Sequence, residues 1–189
     1  MKKSKKLISL VVAAVMALGI VLAPMFAMAQ DSPTGGGKEW GVFRITSTKE
    51  KTIRMVGTTD AGKEKAPWFV VVSKYKLDKS YYDVYRTEYY TVTRIAKDAF
   101  KGTTCVAVSL PTTIEKIDAG AFNGSKAKLV SIKADIAPKA AVGMLKGSNA
   151  AKVTIKVPKA KVAAWKKAAK AGKLGISGSK VTVVAVKAK

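Results

Sequence analysis

The chain has 189 residues and a formal net charge of +23, from 35 Lys and Arg against 12 Asp and Glu, with one cysteine and no histidine. Lacking histidine, it has neither the usual general base near neutral pH nor the commonest metal ligand, and its single cysteine excludes an internal disulfide and a multi-thiolate zinc site. A chain this basic is expected to be drawn to polyanions, although Lys also keeps a Val- and Ala-rich domain soluble and blunts sheet edges.

Residues 1–29 read as an export signal. Lys2, Lys3, Lys5 and Lys6 precede an apolar run from Leu7 to Leu22, Pro24 ends it, and Ala27-Met28-Ala29 is a small-x-small cleavage site. The run of 16 residues is shorter than the roughly 20 that a spanning helix needs, which argues against a retained anchor. Removing residues 1–29 leaves 31 cations against 12 carboxylates, a net charge of +19. The expected location is secreted, or loosely held at the cell envelope.

Residues 30–37, with three consecutive glycines and little apolar content, read as a flexible leader. Residues 38–90 read as a β-rich N-terminal cap. Val42, Arg44 and Thr46 alternate with Phe43, Ile45 and Ser47, and a Lys49-Glu50-Lys51 turn leads into Ile53–Gly57 as the second arm of a hairpin. Trp68 to Val72 is a short apolar strand, and Tyr81 to Ile95 is a long run rich in Tyr, Thr and Val. All six tyrosines lie between Tyr75 and Tyr90. On a strand, Tyr81, Asp83 and Tyr85 share one face and Tyr82, Arg86 and Tyr90 the other. One face must be core. The other would expose rigid amphipathic rings beside charges, which makes Tyr81, Tyr82, Tyr85, Arg86, Tyr89 and Tyr90 the candidate ligand-binding residues. The alternative is that these rings are β-formers filling the cap.

Residues 91–157 carry a repeat. Ala99-Phe100-Lys101-Gly102 recurs 22 residues later as Ala121-Phe122-Asn123-Gly124, and 23 residues further as Met144-Leu145-Lys146-Gly147. Each copy precedes a short alternating run: Val108-Ser109-Leu110, Val130-Ser131-Ile132 and Val153-Thr154-Ile155. Ile95, Ile117, Phe100, Phe122 and Leu145 are the expected inward residues, and Gly102, Gly124 and Gly147 the turn ends where a positive φ suits glycine. Ser109, Ser131 and Thr154 point outward from a sheet face that is also an ordinary place for binding, and they are small and unspecific. A period of roughly 20–29 residues is that of a leucine-rich-repeat solenoid. The expected fold is therefore mixed α/β and β-rich: about three 22–23-residue repeats between a β-hairpin cap and a helix-plus-strand cap at 158–189. In that last segment Val162, Trp165, Ala168 and Ala169 form the apolar face of a Lys-rich helix over 159–171, and Val181 to Val186 a final strand. Cys105 reads as a small buried hydrophobe.

The pattern Val92-Thr-Arg-Ile-Ala-Lys-Asp-Ala-Phe-Lys-Gly102 through Ser109-Leu-Pro111, then Ile114 to Gly124, resembles the BspA-like (Treponema pallidum-type) leucine-rich repeats of small secreted Firmicutes proteins. Thr103 and Ser125 stand where that family carries a cysteine. The resemblance implies a secreted or surface protein, with adhesion or binding of host matrix proteins among the roles of larger members. It implies no shared catalytic site, so no functional residue carries over from it.

The closest acidic pairs, Glu115/Asp118 and Asp83/Glu88, lie among basic and aromatic residues, and no phosphate-binding glycine loop is present. The expected function is a non-enzymatic, adhesin-like binding module without cofactor, catalytic or metal site, taking an extracellular protein or glycan. The alternative is a cationic envelope protein held on anionic cell-wall polymers. Nucleic acid is disfavoured as a partner because no known motif accompanies the charge.

Overall fold

The computed structural model describes residues 27–28, 41–60, 63, 68–81 and 84–186. The expected signal peptide and leader lie largely outside the described residues. Within them, no helix is long and apolar enough to cross a membrane.

Period-two alternation at the start of the described chain builds a hairpin. Strands β2 (Gly41–Ser47) and β3 (Thr52–Thr58) pair antiparallel and turn Phe43, Ile53 and Met55 into the core, and β1 (Ala27–Met28) pairs on β2. A second antiparallel pair, β5 (Lys74–Tyr81) and β6 (Val84–Ile95), joins the first because β3 runs parallel to the end of β6. A two-residue strand, β8 (Lys116–Ile117), also lies parallel to β6, which completes a six-stranded mixed sheet.

The other sheet is wholly parallel. Its order is β11 (Val181–Ala185), β10 (Val153–Val157), β9 (Leu129–Ile132), β7 (Ala107–Leu110) and β4 (Trp68–Val70). The 22-residue spacing of the sequence appears here as register: Val108 lies opposite Val130, and Leu110 opposite Ile132. Inward positions are aliphatic or aromatic, and one apolar core takes side chains from both sheets and from helix α1 (Val162–Lys170).

Turns stack beside the parallel sheet. Phe100 N donates to Ala121 O at 3.0 Å, Phe122 N to Met144 O at 3.1 Å and Leu145 N to Leu174 O at 2.8 Å. The rings of Phe100 and Phe122 stack with centroids 4.7 Å apart, and Phe69 from β4 meets Phe100 edge-on at 5.5 Å. Ile95, Ile117 and Leu145 are also buried, and Gly102, Gly124 and Gly147 all have positive φ. A column of hydroxyls accompanies the rings: Thr103 Oγ1 donates to Phe100 O at 2.8 Å and lies 3.2 Å from Ser125 Oγ, and Ser148 Oγ donates to Ser125 O at 3.3 Å. These hydroxyls satisfy backbone groups inside the turns. The fourth turn reaches Gly175, whose φ is +99° and where an added Cβ would lie 2.6 Å from Lys146 N.

The fold expectation is corrected on this point. The described residues form a mixed α/β fold of two sheets and one helix, not a short leucine-rich-repeat solenoid of three repeats between separate caps. The segments assigned to the caps are strands of the sheets themselves: β3 pairs with β6, β4 is one edge of the parallel sheet and β11 the other. The physical reason is hydrogen bonding. A ladder ending at β7 or β10 would leave the unpaired row of donors and acceptors on the repeat strands themselves, and pairing with β4 and β11 moves the open edges outward by one strand on each side.

Candidate contact surface

Alternation divides the tyrosine cluster. In the β5–β6 hairpin, Tyr75 lies opposite Tyr90 and Lys76 opposite Tyr89. Tyr90 is 1% exposed and its hydroxyl donates to Glu88 Oε2 at 3.0 Å, while the buried Tyr75 ring lies 5.0 Å from that of Phe43. Tyr90 is thus a core residue and is removed from the candidate ligand contacts. Tyr89, one position earlier, is 58% exposed. Tyr82 and the side chains of Tyr81, Tyr85 and Arg86 lie outside the described residues. The backbone places Tyr85 opposite Ser80 and Arg86 opposite Lys79.

The outward face of the parallel sheet offers a broader surface. Parallel sheets are ordinarily covered on both faces by crossover helices. Here α1 shares the inner core, burying Trp165, Ala168 and Ala169, and the outward positions carry small, hydroxyl and apolar residues with one lysine. Register sorts them into two rows. One runs Trp68, Ala107, Leu129, Thr154, Thr182; the other Val70, Ser109, Ser131, Lys156, Val184. Trp68 is 61% exposed, and Val70 and Val184 are exposed as well. Five strands at about 4.8 Å spacing make a platform ~19 Å wide. Ser109, Ser131 and Thr154 lie on its inner strands with Leu129 and Lys156 among them, and Trp68, Val70, Thr182 and Val184 lie on its edge strands. Ser109, Ser131 and Thr154 were legible as outward positions. Trp68, Val70 and Val184 were not, because nothing in so short an apolar run as 68–72 tells which of its residues face inward.

Asp118 accepts from Arg94 Nε at 3.0 Å on both oxygens and is held in that bidentate pair. Cys105 is buried, and loss of water pushes its thiol above the usual range, which keeps it protonated and unreactive. A groove of about 280 Å³ beside α1, floored by Val142, Ala164 and Ala168 and rimmed by Lys139, Lys167 and Lys173, has no carboxylate in its lining. Among the described residues no three Cys, Asp or Glu side chains gather as a metal-binding group would.

No family model, curated protein or solved structure matches this chain. The functional reading rests on its own residues.

Proposed function

We propose that the chain is a secreted or cell-surface binding module without catalytic activity, taking an extracellular protein or glycan on the outward face of its parallel sheet. The observation that carries this reading is the double row across five strands, with Trp68 at its edge and Ser109 and Ser131 at its centre. An exposed indole beside short hydroxyls suits sugar rings and protein surfaces alike, since the ring supplies rigid apolar area and the hydroxyls adaptable hydrogen bonds. The absence of histidine from the sequence supports a non-catalytic role.

The test is capture on surfaces coated with collagen, laminin or mucin, comparing the wild type with the double variant Trp68→Ser, Ser131→Arg. The variant is expected to lose at least tenfold in capture with an unchanged melting temperature, because both positions face solvent. Wild-type capture should survive a rise from 0.1 to 1 M salt, which shortens the Debye length from about 10 to 3 Å and dissolves purely ionic adhesion. Equal capture by the two proteins would refute the proposal.

A further inference from the structure

The six-stranded sheet carries a second surface, on the face turned away from its core. Phe43, Ile53, Met55, Val92, Ile95 and Ile117 point inward from it. Their outward neighbours bring Arg44 opposite Arg54, Arg54 opposite Arg94, and Arg94 opposite Lys116. Four cations on four neighbouring strands thus form one line across the sheet. At about 4.8 Å between strands the line is ~15 Å long. Beside it runs a second line of Thr52, Thr91 and Lys74.

Like charges directly opposed across strands repel, and sheets ordinarily place opposite charges or hydroxyls at such pairs. Arg44 has a partner within the fold, and Arg94 is answered there by its bidentate contact with Asp118. Arg54 is not. It sits half-buried between Arg44 and Arg94, its Nε is shielded from solvent without a hydrogen-bond partner, and its guanidinium makes no ion pair among the described residues. A shielded donor on a charged group costs stability unless something satisfies it. A local conflict of this kind, at the centre of a line of like charge, marks a place kept for a ligand rather than for folding.

We infer that this line is a binding site for a linear polyol-phosphate polymer, the phosphodiester chain of an anionic cell wall, lying across the strands with its phosphates on Arg44, Arg54 and Lys116. Guanidinium groups match phosphate oxygens through paired N–H donors, and the flanking threonine hydroxyls suit a polyol backbone. Nucleic acid fits less well. Sequence-tolerant binding of single strands uses aromatic platforms for the bases, and among the described residues the exposed aromatic of this face, Tyr89, lies beyond Thr91 along β6 and outside the line. The site is separate from the parallel-sheet face and does not depend on it.

The experiment titrates the full chain with a glycerol-phosphate oligomer of about ten units across a range of salt. It compares the wild type with R54Q, with K116Q at the exposed end of the line, and with K166Q on the exposed side of α1 as an equal charge loss elsewhere. A deoxythymidine oligomer with the same number of phosphates is titrated in parallel. R54Q is expected to bind the glycerol-phosphate chain about tenfold more weakly and to reduce the slope of log affinity against log salt by about one contact. Its melting temperature should be unchanged or higher, since a repulsion is relieved. K116Q should weaken binding in the same direction, and K166Q should change little. Equal losses in R54Q, K116Q and K166Q would mean that net charge alone binds the polymer and would overturn the inference. So would tighter binding of the deoxythymidine oligomer by the wild type.

Discussion

Phe122→Ala is expected to destabilise the protein by about 3–5 kcal/mol, the usual loss for emptying a buried aromatic site. The ring is fully buried, stacks on Phe100 at 4.7 Å, and belongs to a turn whose Ala121 O accepts from Phe100 N on one side and whose Phe122 N donates to Met144 O on the other. The cavity would open at the middle of the stack, where neighbouring turns are fixed by their own hydrogen bonds and cannot collapse into it. Domains of this kind are stable by roughly 5–15 kcal/mol in total, so a melting-temperature drop on the order of 10 °C is expected. Phe122→Leu provides the comparison. Leu145 occupies the corresponding place in the next turn and is itself buried, so the leucine variant should lose under about 1.5 kcal/mol. Urea denaturation of both variants measures the difference. Equal, small losses would mean that the stacked turns do not hold the core.

Trp165→Ala is expected to cost a similar amount, about 3–5 kcal/mol, for a different reason. Trp165 is the largest fully buried side chain among the described residues, and it fastens α1 to the rest of the fold. Its Nε1 donates to Ile136 O at 3.2 Å, tying the helix to the segment before the 138–141 turn. Trp165→Phe keeps most of the apolar volume and removes the donor, leaving the Ile136 carbonyl without it, so a loss of about 1–3 kcal/mol is expected. Fluorescence checks this independently. Trp165 is buried and Trp68 exposed, so in a Trp40→Phe background, which removes the third tryptophan, Trp165→Phe should shift the emission of the native protein toward that of an indole in water. An unshifted spectrum would contradict the placement of Trp165.

What the sequence made legible is what repeats. The recurrence of Ala-Phe-x-Gly at 22 residues corresponds to stacked rings, adjoining turn glycines and the pairing of Val108 with Val130, because identical spacing brings identical side chains onto neighbouring strands. The apolar face of α1 was legible for the same reason, with Trp165, Ala168 and Ala169 at helical spacing. The partners of the non-repeating strands were not. Residues 68–70 form a three-residue strand, and so short an apolar run does not say which sheet edge it completes. The parallel pairing of β3 with β6 joins segments nearly forty residues apart without any shared motif. Those two pairings separate the observed two-sheet fold from the expected solenoid with caps.

The candidate surfaces follow the same division. Alternation alone separates Tyr89 from Tyr90, but which of them faces water depends on the core that β6 meets, and that core is supplied by β2 and β3. The cation line depends wholly on register. Arg44, Arg54, Arg94 and Lys116 are scattered over more than seventy positions, and only the pairing of four strands makes them neighbours. The fourth stacked turn was hidden too: Leu174 is buried and bonded to Leu145, yet the residues around it no longer spell the motif.

Oxidative footprinting of the chain, free and bound to whichever coated surface retains it, addresses the parallel-sheet assignment most directly. The indole of Trp68 is exposed and reactive, Tyr89 is an exposed reporter on the other sheet, and Trp165 is a buried internal control. Bound ligand is expected to shield Trp68 while Tyr89 is oxidised at its free rate. Oxidation of Trp68 at an unchanged rate, with Tyr89 shielded instead, would contradict it.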